Sequence, residues 1–171
     1  TVPGSVGIIN DDTKRLPPHP NTFSFKDPRF PIRLPRGRFP QSWCESIVDI
    51  SLSYGGGMAC DKTGHVWVWG YPGWYNVTYH NFPVGTNPFN ISTYNIAGNE
   101  LYQCGTKIVK VRLVSYNSYP SFYAIGENGR LWRWGYNAQG QLATNSTTSL
   151  ALPSLLPWAP YNIVDVRGTQ H

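Results

Sequence analysis

The stretch GHVWVWGY at residues 64–71 returns as GRLWRWGY at 129–136. The features around both copies also fall in one order. IVDIS at 47–51 precedes the first and IVKVR at 108–112 the second, Ala59 corresponds to Ala124, and CDKTG and IGENG each lead to the glycine that opens the aromatic segment. A third start, IVDVR, stands at 163–167. Starts about 60 residues apart, each opening a unit of short apolar runs closed by turn residues, have the period of a β-propeller, whose blades bury against one another faces that a single blade would expose.

Alternation shows how the tryptophans would be used. In a strand Trp67 and Trp69 point to one face and Val66 and Val68 to the other, and Trp132 and Trp134 repeat the pattern. Rings of this size fill the wedge between blades, each burying roughly 150–250 Å². The four tryptophans are therefore expected to pack blade on blade rather than to stack sugars or bases. The hairpins should close at Gly64 and Gly129, where Asp61 and Glu127 supply polar turn chemistry and glycine accepts positive φ.

Composition agrees with a β-rich core. Hydrophobic residues make up 40% of the 171, charged residues only 13%, and there are 7 Trp and 11 Tyr; such a chain can bury a core and favours strands and turns. No apolar run approaches the roughly 18 residues of a membrane-spanning helix, and the N-terminal residues lack the layout of a signal peptide.

The formal charge of +5 belongs mostly to residues 1–40, which hold seven basic and three acidic side chains. Pro3, Pro17, Pro18, Pro20, Pro28, Pro31, Pro35 and Pro40 exclude a helix or a central strand there, leaving an extended basic arm. Within it Arg29, Arg33, Arg36 and Arg38 are interspersed with Phe30, Ile32, Leu34 and Phe39. Three readings follow. The arm is a solvated or self-packed linker, a strip docked on an acidic protein surface through Arg29, Arg33, Arg36, Arg38, Phe30 and Phe39, or a strip laid on the phosphates of nucleic acid. After it come a first repeat, 41–107, with a long polar and aromatic insertion at 71–103; a second repeat, 108–162; and the start of a third, 163–171.

Chemistry-bearing residues are scattered. His19, His65, His80 and His171 fall in different repeat positions without a paired acid or a nucleophile elbow. Cys44, Cys60 and Cys104 form no CxxC pair, which argues against a zinc site; they read as buried thiols, with Cys44 and Cys104 placed where they could bridge adjacent units. GGG at 55–57 lacks the following helix and Lys-Ser/Thr of a phosphate loop and reads as a strand-edge kink. Asp49, Asp61, Glu100 and Asp165 occupy strand-pattern or turn positions. No catalytic residue, metal or cofactor is expected. Sequons at Asn76, Asn90 and Asn145 are close in number to chance.

The segment IVKVRLVSYNSYPSFYAIGENGRLWRWGYNAQGQLA, residues 108–143, resembles the repeat of the regulator of chromosome condensation family: an IVxV start, an alanine in the second strand, then xxGxLWxWGxNxxGQL. WGYNAQGQL at 134–142 is its most specific part. Ala143 stands where the family usually has another glycine, and the first copy departs after Gly70, where the insertion replaces GQL. The resemblance covers 108–171 well and 41–70 moderately, and leaves the arm untouched.

The resemblance implies an all-β fold of propeller blades, seven in the family, of which this chain would hold about two and the edge of a third. The ring would be completed by polypeptide beyond His171 or by other chains. Two functions follow as expectations. One is a non-enzymatic structural and interaction module that presents loops such as 71–103 to a protein partner and is anchored in a larger assembly, such as a virion or surface appendage, by its arm. The other is a guanine-nucleotide exchange factor acting on a small GTPase. The first places the chain at an extracellular or virion surface, the second inside a cell.

Overall fold

The computed structural model describes residues 46–53, 56–70, 88–116, 119–157 and 162–168. The arm with Arg29, Phe30, Arg33, Arg36, Arg38 and Phe39 lies outside the described residues. So do Cys44, Asn76, His19, His80 and His171.

Over the described residues the fold is all-β and is made of two four-stranded antiparallel blades. The first consists of β1 (Ile47–Ser53), β2 (Gly56–Asp61), β3 (Val66–Gly70) and β4 (Phe89–Asn90), the second of β5 (Ile108–Tyr116), β6 (Tyr119–Gly126), β7 (Leu131–Gly135) and β8 (Leu150–Leu155). In each blade the strands lie side by side in chain order.

The register repeats as faithfully as the sequence does. Both first strands carry a bulge after their initial Ile, between Ile47 and Asp49 and between Ile108 and Lys110. Ile50 then lies opposite Ala59 and Ala59 opposite Trp67, as Val111 lies opposite Ala124 and Ala124 opposite Trp132. Alanine at this central position leaves room for the indole beside it.

The hairpins close as their residues require. Gly64 has φ +90° and Gly129 φ +73°, a region open to glycine at little cost. The Gly64 N–H donates to Asp61 O over 2.9 Å, and the Gly129 N–H to Gly126 O over 2.9 Å. Gly56 and Gly57 of the expected kink at GGG are instead part of the ladder, pairing with β1 on one side and β3 on the other, while Gly55 lies outside the described residues. A Cβ on Gly57 would lie 2.7 Å from Leu52 and within 2.8 Å of the Trp69 ring. The glycine provides a seat for that indole.

The principal core lies between the blades. Met58, Cys60, Val66 and Val68 of the first meet Val111, Leu113, Phe122, Ala124, Trp132 and Trp134 of the second, with Ile91 and Leu101 sealing the rim. A further cluster of Tyr123, Ile125, Leu131 and Leu142 covers the other face of the second blade, and Ile163 and Val166 pack against it.

Part of the 71–103 insertion belongs to the frame. Residues 71–87 lie outside the described part, but 88–103 are built into the fold: they supply β4, a 3-10 turn at Ile91–Thr93 and the core residues Ile91 and Leu101. Glu100 donates its N–H to Pro153 O over 2.9 Å and accepts the Leu155 N–H on a carboxylate oxygen over 2.5 Å, which ties this segment to β8. Asn99 holds the segment's shape by donating to Ile91 O and Tyr94 O over 2.9 and 2.8 Å.

Candidate functional site

The most organised polar feature is the seam between consecutive repeat starts. Side chains alternate along a strand, so Asp49 and Ser51 face the second blade while Val48, Ile50 and Leu52 face away. The Asp49 carboxylate accepts the Val111 N–H over 2.8 Å, and Ser51 Oγ accepts the Leu113 N–H over 2.9 Å. β5 is an edge strand of its own sheet, and these two acceptors cap edge N–H groups that would otherwise be left unpaired. Their spacing of two residues matches the spacing of the donors.

Charge continues along the same line. Arg112 reaches Asp49 at 2.8 Å and, through its other terminal nitrogen, Asp165 at 3.1 Å. Asp165 also meets Lys110 at 3.8 Å and Arg167 at 3.1 Å. The hydrogen bond from Arg167, aided by Arg112 and Lys110, holds the Asp165 carboxyl below the usual carboxylate value. Asp49, Lys110 and Asp165 occupy the third position of IVDIS, IVKVR and IVDVR; Asp165 pairs with Lys110, whereas Asp49 and Asp165 both pair with Arg112 at the fifth position of the second start.

The turn glycines connect the same starts. The Gly64 carbonyl accepts the Ile108 N–H over 3.4 Å, and the Gly129 carbonyl accepts the Ile163 N–H over 3.1 Å. The segment 162–168 has no ladder partner among the described residues.

The tryptophans divide between two environments. Trp132 and Trp134 are 1% and 2% exposed in the core between the blades. Trp134 stacks on Phe122 at 5.2 Å, and Trp132 Nε1 donates to Glu100 O over 3.0 Å. Trp67 and Trp69 lie on the face of the first blade that points away from the second, in a cluster with Ala59 and Ile47. Trp67 Nε1 donates to Asp61 over 2.9 Å.

Three polar groups of the blades serve the frame. Burial pushes the Asp61 carboxyl up, but hydrogen bonds from Thr63, Trp67 and the His65 N–H outweigh it and leave it below the ordinary value. Thr63 Oγ1 lies 2.5 Å from Asp61 and 2.9 Å from His65 Nδ1. In a catalytic triad the imidazole stands between carboxylate and hydroxyl; here the carboxylate takes the hydroxyl directly and clamps the turn.

In the second blade Arg133 is 5% exposed and donates to Leu142 O, Ser154 O and Leu155 O, its ionisation lowered by burial. Asn137, fully buried, donates to Thr144 Oγ1, Ser146 O and Thr148 O and accepts the Leu142 N–H, which fixes the loop that follows WGYN. The asparagine of the most specific part of the motif is thus a loop staple.

Burial raises the Cys60 thiol to about 12, which leaves it protonated and unreactive. Cys104 is a free thiol whose Sγ donates to Thr106 O over 3.3 Å. Asn90 accepts the Ser92 N–H, whereas Asn145 is exposed in a loop. Among the described residues no cluster of His, Cys, Asp and Glu could hold a metal ion, and no helix is long and apolar enough to cross a membrane.

One surface stands apart. Val48, Ile50 and Leu52 of β1 are 49%, 42% and 44% exposed, while the counterparts of Ile50 and Leu52 in β5, Val111 and Leu113, are at 0% and 7%. The sequence pattern alone could not show this, since both strands read as the same alternating run.

Residues 128–170 match the model of the Regulator of chromosome condensation (RCC1) repeat. Among solved structures the chain is similar to human WBSCR16, at 19% identity and TM-score 0.47, over 64% of this chain and 26% of that one. It is similar to Prp20p from Saccharomyces cerevisiae, described with its binding to Gsp1p and histones, at 16% identity and TM-score 0.49, over 75% of this chain and 29% of that one. It is also similar to yeast RCC1 (Prp20) in its structure with Kap60, at 16% identity and TM-score 0.49, over 71% and 27%. The chain therefore matches less than a third of the length of these proteins. The matched residues include the Gly129 turn, Trp132, Trp134, Asn137 and the third start.

Proposed function

We propose that this chain is a non-enzymatic interaction module: a propeller segment that docks another protein and is held in a larger assembly by residues 1–40. The observation that carries this reading is the outer face of β1, where Ile50 and Leu52 are exposed while their counterparts in the second blade, Val111 and Leu113, are buried against the first. Exposed apolar rows rimmed by polar groups are a feature of protein-binding surfaces. Asp61, Arg133 and Asn137 are engaged within the frame of the blades.

The test is sedimentation of the chain from native extract on a sucrose gradient. The full chain should travel in a particle larger than its 19.2 kDa, and a chain lacking residues 1–40 should travel alone. Equal sedimentation of both as monomers would refute the reading. The alternative, nucleotide exchange on a small GTPase, rests on the family resemblance, and accelerated nucleotide release from a small GTPase would establish it in place of ours.

A further inference from the structure

Two of the three sequons lie among the described residues, and they stand in unlike surroundings. Asn90 belongs to β4, where it is half-buried opposite Trp67. Its Oδ1 accepts the Ser92 N–H over 3.1 Å, and the Ser92 hydroxyl, which completes the sequon, accepts the Val66 N–H over 2.7 Å. Both side chains are engaged by the frame, and a sugar on Asn90 would crowd the strand pair to which it belongs.

Asn145 is the opposite case. Asn145, Ser146, Thr147 and Thr148 are all exposed in the loop between β7 and β8. The loop is held from beneath by buried Asn137, which donates to Thr144 Oγ1, Ser146 O and Thr148 O over 2.9, 2.8 and 3.0 Å, and Ser146 Oγ donates to Thr148 Oγ1 over 2.9 Å. Asn145 has φ +54°, a left-handed conformation that asparagine tolerates better than most residues. Among the described residues neither the Asn145 amide nor the Thr147 hydroxyl has a hydrogen-bond partner. The two groups that a sequon needs are thus left out of the bonding that shapes the loop.

We propose that Asn145 is the attachment site of an N-linked glycan. In the reaction the Asn145 Nδ2 attacks the anomeric carbon of an oligosaccharide carried on a lipid pyrophosphate. An N–C bond forms, the C–O bond to the pyrophosphate breaks, the lipid pyrophosphate departs, and the amide gives up a proton. The Thr147 hydroxyl, two residues on, is the group by which the acceptor is recognised. An exposed side chain on a loop fixed from below lets a bulky polar chain project into water without displacing packed residues, so the fold admits a glycan at Asn145 and not at Asn90. The inference rests on the interaction-module reading, which puts the chain at an extracellular or virion surface, and adds a modification to it.

For the test, the chain is isolated from native extract and treated with peptide N-glycosidase in heavy-oxygen water, which turns a glycosylated asparagine into labelled aspartate. Trypsin then releases residues 134–167 as one peptide, because no Lys or Arg lies between Arg133 and Arg167, and Asn145 heads its only sequon. Mass spectrometry should find the label in this peptide, and without the glycosidase the peptide should be found at the mass of the intact glycopeptide. In chains produced in the same source, Asn145→Gln and Thr147→Ala should each abolish the label, whereas Asn90→Gln should leave it in place; circular dichroism checks that each variant folds.

An unlabelled 134–167 peptide from the wild-type chain would overturn the inference, while sedimentation of the same chain would still decide the module reading. Label that persists in Thr147→Ala would overturn it as well, since spontaneous deamidation does not need the hydroxyl. Label on Asn90 would overturn the choice between the two sequons. A labelled chain that sediments as a monomer would support the attachment site and sink the module reading.

Discussion

In the first blade Ile50 and Leu52 are 42% and 44% exposed, and in the second Val111 and Leu113 at the same places are at 0% and 7%. The two sheets share strand order, bulge, turn and central alanine, so the backbone frame cannot be the source of the difference. Neighbours are. The second blade has the first against one face and the third start with Ile163 and Val166 against the other, whereas among the described residues the first blade is covered by the second on one face only. A repeat of this kind is stabilised largely through its interfaces, so equivalent residues carry unequal energies.

The largest test of that inequality is the indole pair. Trp132→Ala should cost about 4 kcal/mol, in the range for removing a fully buried ring, and Trp67→Ala about half as much, because Trp67 is only partly buried. Chemical denaturation of the two variants would measure both losses, and equal losses would mean that the blades are energetically alike after all.

A smaller effect separates two glycines. Gly129 and Gly140 have φ +73° and +75°, but a Cβ at Gly129 would lie 2.5 Å from Asn162 Cα while one at Gly140 meets nothing within 4 Å. Alanine at Gly140 should cost about 1 kcal/mol from backbone strain alone. At Gly129 it should cost about 3 kcal/mol, since strain and steric displacement add, and should speed hydrogen exchange at the Ile163 amide. Exchange at Ile163 that stays unchanged would show that the turn does not hold the third start.

The smallest effect is a titration. Asp165 is held below its usual value of 3.8, so the folded form binds its proton less readily than the unfolded form. The stabilisation is therefore complete above that value and is lost as pH falls through the lower folded value. Amide exchange at Val166 should rise on acidification below about pH 4, and Asp165→Asn should flatten that part of the profile. A profile that stays the same in the variant would assign the acid sensitivity to other carboxylates.

Much of the frame was legible in the sequence because its causes are local. Hairpin closure at Gly64 and Gly129 follows from turn chemistry, and the facing of Val68 against Trp67 and Trp69 follows from two-residue alternation. The function of 88–103 was not legible. β4 is only Phe89–Asn90, too short to show alternation, and Leu101 is buried by a blade that begins after it.

The charged seam left a signal, the Asp, Lys and Asp at one position of three starts, but its meaning depends on β1 and β5 lying side by side. IVDVR reads as a strand, yet a strand needs a ladder, and 162–168 has no second strand alongside it among the described residues. The exposed row on β1 was the least legible, since exposure belongs to the neighbour rather than to the residue.

The carbonyls of Gly64 and Gly129 bear on the order of assembly. Each accepts the first N–H of the repeat that follows and belongs to the turn of its own hairpin. A repeat leaving the ribosome would meet a finished acceptor on its predecessor, whereas the predecessor has nothing to gain from its successor until that successor arrives. Growth by this rule is vectorial, from the N-terminal side toward the C-terminal side, much as a filament adds subunits at one end. A stalled or shortened chain would then stop at a completed hairpin with its glycine carbonyl still open to the next repeat.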